Sequence, residues 1–172
     1  MNKSSYEIKY FDFKNESDIS RALKLLTQVF KKNFTREWWD WKYNLNPFGQ
    51  SIGYYSEDKN SGQMSSLRLF WRRPCFKIMD DSDIYQAGDT ATHPDYQKKG
   101  LAKILVSKFL SEHTNAKIYN FPNDISKKIY LSNGWKEIDK FFFKVIPFSL
   151  FRRVNNLENI SINIDGNFKK FT

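Results

Sequence analysis

The sequence contains little cysteine and no long apolar run, and each absence narrows the class of protein. Cys75 is the single cysteine among 172 residues, which excludes an internal disulfide framework and fits a reducing compartment. No run approaches the roughly 20 apolar residues that a membrane-spanning helix needs. The first residues, MNKSSYEIKYF, also lack the apolar stretch of a signal peptide. We therefore expect a soluble, cytoplasmic protein with no membrane span.

Basic side chains outnumber acidic ones, and aromatic residues are abundant. Lysine and arginine total 28 against 19 acidic residues, which gives a formal net charge of +9. This charge favours an anionic partner, whether nucleic acid, an anionic cofactor or an acidic polymer. Aromatic residues make up 17% of the chain and supply ample material for one hydrophobic core.

Hydrophobic periodicity predicts the element order β, α, α, β, β, β, α, β, α, β. Strands are expected at residues 6–13, 51–57, 64–71, 83–91, 117–122 and 135–146, and helices at 17–30, 36–45, 101–112 and 124–133. Ser17 and Thr35 are the predicted N-caps of the first two helices, and Gly134 is the predicted end of the fourth. Strand four, helix three and strand five should form a crossover unit in a mixed α/β domain. We place this domain at residues 1–150, followed by a poorly specified tail at 151–172.

A basic turn precedes the third predicted helix, in the stretch HPDYQKKGLAKILVSKFL at residues 93–110. A helix start offers backbone N–H groups without intrahelical partners and the positive end of the helix dipole. An anion such as a pyrophosphate can accept from those groups if little side chain covers them, as at Gly100 and Ala102. Taken alone, the turn fits a solvated loop equally well.

The spacing Gln97-x-x-Gly100-x-Ala102 resembles the acyl-CoA-binding signature of the GNAT superfamily of N-acetyltransferases. A second match lies in FPNDISKKIYLSNGW, where Asn123, Tyr130 and the pair Gly134-Trp135 follow the spacing of the family. Gln97, Ala102 and Trp135 depart from the commonest residues of these motifs, but none removes a group that backbone binding needs. The stretches WKYNLNPFG and FPN are also similar to acetyltransferases encoded with bacterial surface-polysaccharide genes.

The resemblance implies an α/β fold with a mixed, mostly antiparallel sheet flanked by helices and splayed between strands four and five. It also implies acetyl-CoA as the acyl donor and a small-molecule amine, such as an amino sugar, as the acceptor. The family's pyrophosphate loop corresponds to main-chain groups of Gln97, Lys98, Lys99, Gly100, Leu101 and Ala102. Its oxyanion and pantetheine contacts correspond to main-chain atoms of Ala91 and Thr92. No metal is implied.

The same resemblance assigns two side chains near the reacting atoms. Tyr130 occupies the position of the family's general acid, which protonates the leaving thiolate, although a buried core tyrosine is an alternative. Asn123 would contact the cofactor arm or cap the fourth helix. Asp89, on strand four, is a candidate general base that could equally anchor a loop. His93 belongs to a turn and is expected to be structural, and Cys75 lacks partners for a nucleophile.

An aromatic cluster on the second predicted helix contains Trp38, Trp39, Trp41 and Tyr43. Four large rings within six residues cannot all face one core, so we expect some of them to face a cleft. Trp38 and Trp41 are the predicted substrate-binding residues, because aromatic rings stack on the apolar faces of sugars. Core packing with one surface ring is the alternative.

Three other interpretations of the chain remain. The charge could serve a nucleic-acid-binding module, although FWRRPCFK is the only stretch that interleaves basic and aromatic residues as such a module would. The domain could bind acyl-CoA without catalysis. Residues 140–151 are more apolar than a terminal strand requires and could contact a second domain or a second copy of the chain.

Overall fold

The computed structural model describes residues 5–74, 83–122, 124–132 and 134–137, together with two short strands near the C-terminus. The chain divides into two compact units, Met1–Phe121 and Pro122–Thr172. The domain boundary predicted at residue 150 lies outside the described residues and stays a prediction.

The first unit is a five-stranded sheet with helices on both faces. The strands are β1 (Tyr6–Tyr10), β2 (Ile52–Asp58), β3 (Met64–Arg72), β4 (Ile84–Thr92) and β5 (Lys117–Tyr119), and the helices are α1 (Glu16–Phe30), α2 (Arg36–Trp39) and α3 (Leu101–Glu112). The strands lie in sequence order, antiparallel except for the parallel pair β4–β5. This arrangement confirms the predicted fold class and the crossover through α3.

Side-chain caps start the first two helices. Asn15, and not the predicted Ser17, is the N-cap of α1: its Oδ1 accepts from the N–H of Ser17 at 2.9 Å. Asn and Ser are almost equally good caps, so the sequence alone could not choose between neighbours two residues apart. Thr35 caps α2 as predicted, through its Oγ1 and the N–H of Trp38. The helix then continues as a single π-helical turn, Asp40–Asn44.

Two apolar clusters hold the helices against opposite faces of the sheet. On one face, α1 and α2 pack Ile19, Leu26 and Trp39 against β3 residues that include Leu67 and Leu69. On the other face, α3 packs Leu105 and Phe109 against Phe70 and Tyr85. The rings of Phe70 and Phe109 are stacked, with centroids 3.8 Å apart. Helices therefore cover both faces of the sheet, and β4 contributes side chains to both clusters.

A bulge in β4 explains how one strand serves both clusters. Arg68 pairs with Thr90 and Phe70 pairs with Ala87, so Leu69 alone lies opposite the two residues Gly88 and Asp89. An extra residue reverses the side-chain alternation beyond it. Tyr85 accordingly lies in the α3 cluster, whereas Ala91, six residues later, lies in the α1–α2 cluster. Strict alternation would put both on one face, so the bulge turns Asp89 toward α2.

The sheet opens between β4 and β5. Their pairing covers three positions and ends at Gln86↔Tyr119. Beyond Gln86, the remaining six residues of β4, Ala87–Thr92, have a strand partner on the β3 side only, among the residues that the structure describes. This opening, which we call the β4–β5 cleft, leaves one backbone edge of β4 free for a ligand.

The second unit begins with α4 (Asp124–Ser132). Gly134, with φ +83°, ends it as predicted: the N–H of Gly134 donates to the carbonyl of Leu131 and the N–H of Trp135 to that of Tyr130. Strands β6 (Ile160–Ile162) and β7 (Phe168–Lys170) pair antiparallel. The strand predicted at 135–146 lies largely outside the described residues. None of the helices described has the length and apolarity that crossing a bilayer requires.

Candidate active site

The loop before α3 presents a row of unpaired backbone donors. Gly100 is the N-cap in the left-handed conformation (φ +73°) and supplies no side-chain cap, and Lys98 also has positive φ (+61°). The N–H groups of residues 98–102 donate to no described group, and residues 97–100 are exposed. Glycine takes the left-handed conformation without strain, which explains why the chain can expose these donors here. Consecutive N–H groups of this kind suit a pyrophosphate.

The lysines of this loop and of α3 differ in their surroundings. Lys99 packs its ammonium 4.8 Å from the ring centroid of Tyr96, and Lys108 pairs with Glu112 at 2.5 Å. Lys98 and Lys103 have no ion pair among the described residues, and no acidic residue occupies the first turn of α3. The local field is therefore positive at the same place as the free N–H groups.

The end of β4 connects the cleft to this loop. Ser66 donates to the carbonyl of Ala91 at 3.2 Å, and its hydroxyl lies 2.9 Å from that of Thr92. Gln97 reaches back with its side-chain amide to the carbonyl of Thr92 at 3.4 Å. Gln97 thus holds the loop against the strand end, so that the predicted cofactor positions on β4 and in the loop are brought together. Leu101 is buried and anchors the start of α3.

Asp89 is positioned by two consecutive residues of the π-helical turn. Lys42 Nζ donates to Asp89 Oδ2 at 2.8 Å, and the hydroxyl of Tyr43 donates to the same oxygen. No described residue donates to the other oxygen, Oδ1. The carboxylate is about one-fifth exposed, so it is held in one orientation while one oxygen stays available. Sequence reasoning missed both partners.

Gly88 allows this approach of the second helix to the sheet. A Cβ on Gly88 would lie 3.2 Å from the carbonyl oxygen of Leu69 and 3.4 Å from the hydroxyl of Tyr43. Burial raises the pKa of Tyr43 well above its usual value, and the Asp89 carboxylate raises it further. Tyr43 therefore stays a hydrogen-bond donor across the physiological pH range. An isolated glycine within a strand pattern is the signal that could have revealed the bulge.

The aromatic cluster divides between core and surface. Trp39 and Tyr43 are buried in the core. Trp38 is half-buried against Phe34 and lies below the ammonium of Lys42, 5.0 Å from its ring centroid. Trp41 is 65% exposed and makes no ring contact with any described residue. Of the two predicted substrate-binding residues, Trp38 contacts Lys42, which in turn binds Asp89, whereas Trp41 faces solvent.

Of the other residues that the sequence analysis considered for the site, the structure describes Tyr130 and His93. Tyr130 lies in α4, with its ring 4.6 Å from that of Trp135. Asn123 lies outside the described residues, as does Cys75. His93 is buried and accepts from the N–H of Asp95 through Nδ1, which caps the turn Pro94–Tyr96. Its Nε2 faces Gln28 at 2.7 Å, so both ring nitrogens have partners within the fold.

The bulged β4, the cleft beside it and the loop of free amides after it define an acyltransferase domain. The acetyltransferase (GNAT) domain family model matches residues 12–138, about three-quarters of the chain, and the chain belongs to this family. The resemblance inferred from the two sequence motifs is thereby confirmed. No curated protein sequence matches the chain.

Solved structures share this fold at low sequence identity. An acetyltransferase from Trypanosoma brucei has a TM-score of 0.64 at 15% identity, covering 82% of this chain and 99% of its own. Glucosamine-6-phosphate N-acetyltransferase from Arabidopsis thaliana has a TM-score of 0.60 at 14% identity, with coverage of 83% and 99%. Aminoglycoside N-acetyltransferase AAC(6')-Iy in complex with CoA has a TM-score of 0.63 at 14% identity, with coverage of 86% and 99%.

Proposed function

We propose that the protein transfers the acetyl group of acetyl-CoA to the primary amine of a small acceptor, such as an amino sugar. The observation that carries this proposal is the row of unpaired N–H groups at residues 98–102, which begins in the exposed stretch 97–100 and follows the open edge of β4. The family membership, a CoA-bound structural relative and an amino-sugar-acetylating relative support the same chemistry.

The donor would be bound through backbone groups. N–H groups of Lys98, Lys99, Gly100, Leu101 and Ala102 would take the pyrophosphate, with Lys98 and Lys103 adding favourable field. Gln97 would hold the loop in place. When bound, acetyl-CoA supplies an activated thioester carbonyl. Main-chain groups of Ala91 and Thr92 would contact the pantetheine arm and the developing oxyanion, because antiparallel strands turn alternate N–H groups away from their partner.

The acceptor amine would meet the thioester in the β4–β5 cleft. Its nitrogen attacks the carbonyl carbon, the carbon–sulfur bond breaks, and an amide and a thiolate result. Asp89 would orient the amine through Oδ1 and accept its proton directly or through water. Tyr130 would protonate the thiolate. Asn123 would contact the cofactor arm, and Trp38 and Trp41 would line the acceptor side.

Acetyl-CoA binding and turnover test this proposal with matched variants. Millimolar acetyl-CoA should raise the melting temperature of the wild-type protein, because a ligand of the folded state stabilises it. Gly100→Val should abolish that shift. Gly62→Val is the matched control, because Gly62 has a similar φ (+67°) but lies in a hairpin with open space around it. Both variants carry comparable backbone strain, so only the response to acetyl-CoA should separate them.

Thiol release from acetyl-CoA in the presence of amino sugars, polyamines and peptide amines measures the reaction itself. A thermal shift accompanied by thiol release supports the enzyme. A shift without release from any amine would favour an acyl-CoA-binding domain without catalysis. Absence of both would contradict the proposal.

A further inference from the structure

The ammonium of Lys42 occupies an aromatic cage at the side of the β4–β5 cleft. Nζ lies 5.0, 5.5 and 5.7 Å from the ring centroids of Trp38, Tyr43 and Trp71. It also donates to Asp89 Oδ2 at 2.8 Å. Three rings and a carboxylate are the surroundings that a protein offers to a bound ammonium ligand. Here the chain's own lysine fills them.

This occupancy changes which acceptors the cleft can attract. A cationic acceptor gains from a carboxylate only if that charge is not already compensated. Lys42 and Asp89 have side chains that are only 17% and 19% exposed, so solvent screens their pairing less than it would at the surface. The Asp89 charge is therefore neutralised locally, and its Oδ1 remains as a directed hydrogen-bond acceptor rather than as the centre of a negative field.

A second cation contacts the same indole. The guanidinium carbon of Arg73 lies 4.4 Å from the ring centroid of Trp71, and Arg73 Nε donates to the hydroxyl of Tyr119 at 3.3 Å. Arg73 has no carboxylate partner among the described residues, in contrast to Arg72, which pairs with Asp83. Arg73 is therefore held in place at the cleft, with no counter-charge from the residues that the structure describes.

Strand register places these groups together at the start of the opening. Trp71 pairs with Gln86, and Gln86 pairs with Tyr119 in the last position before β4 and β5 separate. Side chains at paired positions share one face of a sheet. Trp71 and Tyr119 consequently lie on the face that Asp89 also points to, after the bulge. Of the charged groups placed here within the described part of the chain, Lys42 and Arg73 are positive and Asp89 is negative, so their sum is positive.

We propose that the acceptor carries an anionic group, phosphate or carboxylate, beside its primary amine, that Arg73 binds that group, and that Lys42 favours it by cancelling the charge of Asp89. This inference rests on the proposed acetyl transfer and specifies its acceptor class. The amine would be directed to Asp89 Oδ1 while the anion lies against Arg73. A polycationic acceptor meets the same positive field and is disfavoured.

Matched acceptors that differ in one anionic group test the inference. Glucosamine is compared with glucosamine 6-phosphate and with muramic acid, which adds a carboxylate, and kanamycin serves as the polycation. We expect kcat/KM for an acidic amino sugar to exceed that for glucosamine by about tenfold, the effect of one charge-assisted contact. The two acidic probes distinguish phosphate from carboxylate.

Variants assign the preference to the two cations. Lys42→Met and Arg73→Met should each reduce the acidic-to-neutral ratio of kcat/KM several-fold, mainly through KM, whereas Lys42→Arg should retain it. Lys24→Met is the matched control, because Lys24 is exposed on α1 and has no ion pair among the described residues. Ratios are compared within each variant, so a loss of stability or of general activity does not imitate the effect.

The outcomes separate this inference from the proposed function. Three outcomes would overturn the acidic acceptor and leave acetyl transfer standing. They are an acidic-to-neutral ratio of kcat/KM of one or less, a ratio that is unchanged in both methionine variants, and a higher kcat/KM for kanamycin than for the acidic amino sugars. If none of the amines gives thiol release, acetyl transfer is overturned and the acceptor class with it.

Discussion

Asp89 shows how much of a site can depend on a single residue's neighbours. Its carboxylate lies on β4, yet its orientation comes from Lys42 and Tyr43 on a different element. Two donors on Oδ2 leave Oδ1 as the available oxygen. The buried hydroxyl of Tyr43, whose pKa is raised, keeps its proton and therefore remains a donor to Asp89.

At the residue scale, Tyr130→Phe tests the proposed general acid. The variant removes one hydroxyl and keeps the ring that packs beside Trp135, so kcat should fall by about 10²-fold while KM for acetyl-CoA changes little. Steady-state thiol release measures both constants. Supplying a donor whose thiol leaving group is more acidic should recover part of kcat.

That recovery distinguishes a proton donor from a packing residue. A structural role would lower kcat equally for both donors and would lower the melting temperature. An unchanged kcat would contradict the assignment of Tyr130 as the acid.

At the element scale, the start of α1 depends on one cap. Asn15→Ala should lower the free energy of unfolding by about 1 kcal/mol, because the N–H groups of Ser17 and Asp18 lose their acceptor. Ser17→Ala is the control, since Ser17 only donates its backbone N–H to this cap. Urea unfolding followed by circular dichroism measures the difference. Equal losses in the two variants would contradict the cap assignment.

Local sequence pattern predicted the helices and strands of the first unit but not the register in which the strands pair. The helices and strands of the first unit lie close to their predicted positions, because periodicity and turn residues are local signals. Thr35 as an N-cap and Gly134 as a helix end were predicted correctly for the same reason. The bulge at Gly88 and Asp89 was not found, because it becomes apparent only when β4 pairs with β3 and one position is left over. The splay between β4 and β5 was predicted from the family resemblance, but the residue at which their pairing ends, Gln86, is a property of the two strands together.

At the scale of the whole molecule, the net charge of +9 should affect donor binding. We expect KM for acetyl-CoA to rise several-fold as sodium chloride is raised from about 50 mM to about 500 mM, because salt screens the attraction of a basic surface for an anion. KM for glucosamine, measured at saturating acetyl-CoA, is the internal control and should change much less. A KM for acetyl-CoA that does not depend on salt would contradict this expectation.

The sequence by itself determined the family, the element order of the first unit and the position of the basic turn before α3. These rest on contiguous spacing, such as Gln97 to Ala102, and a short segment carries its own geometry once glycine permits the left-handed conformation at Gly100. The tertiary structure alone decided what surrounds Asp89. Lys42 and Asp89 are 47 residues apart and meet because of the π-helical turn and the bulge, and Lys42 in turn meets Trp71, the ring that Arg73 also contacts. The proposed acceptor class rests on such contacts, which no local pattern encodes.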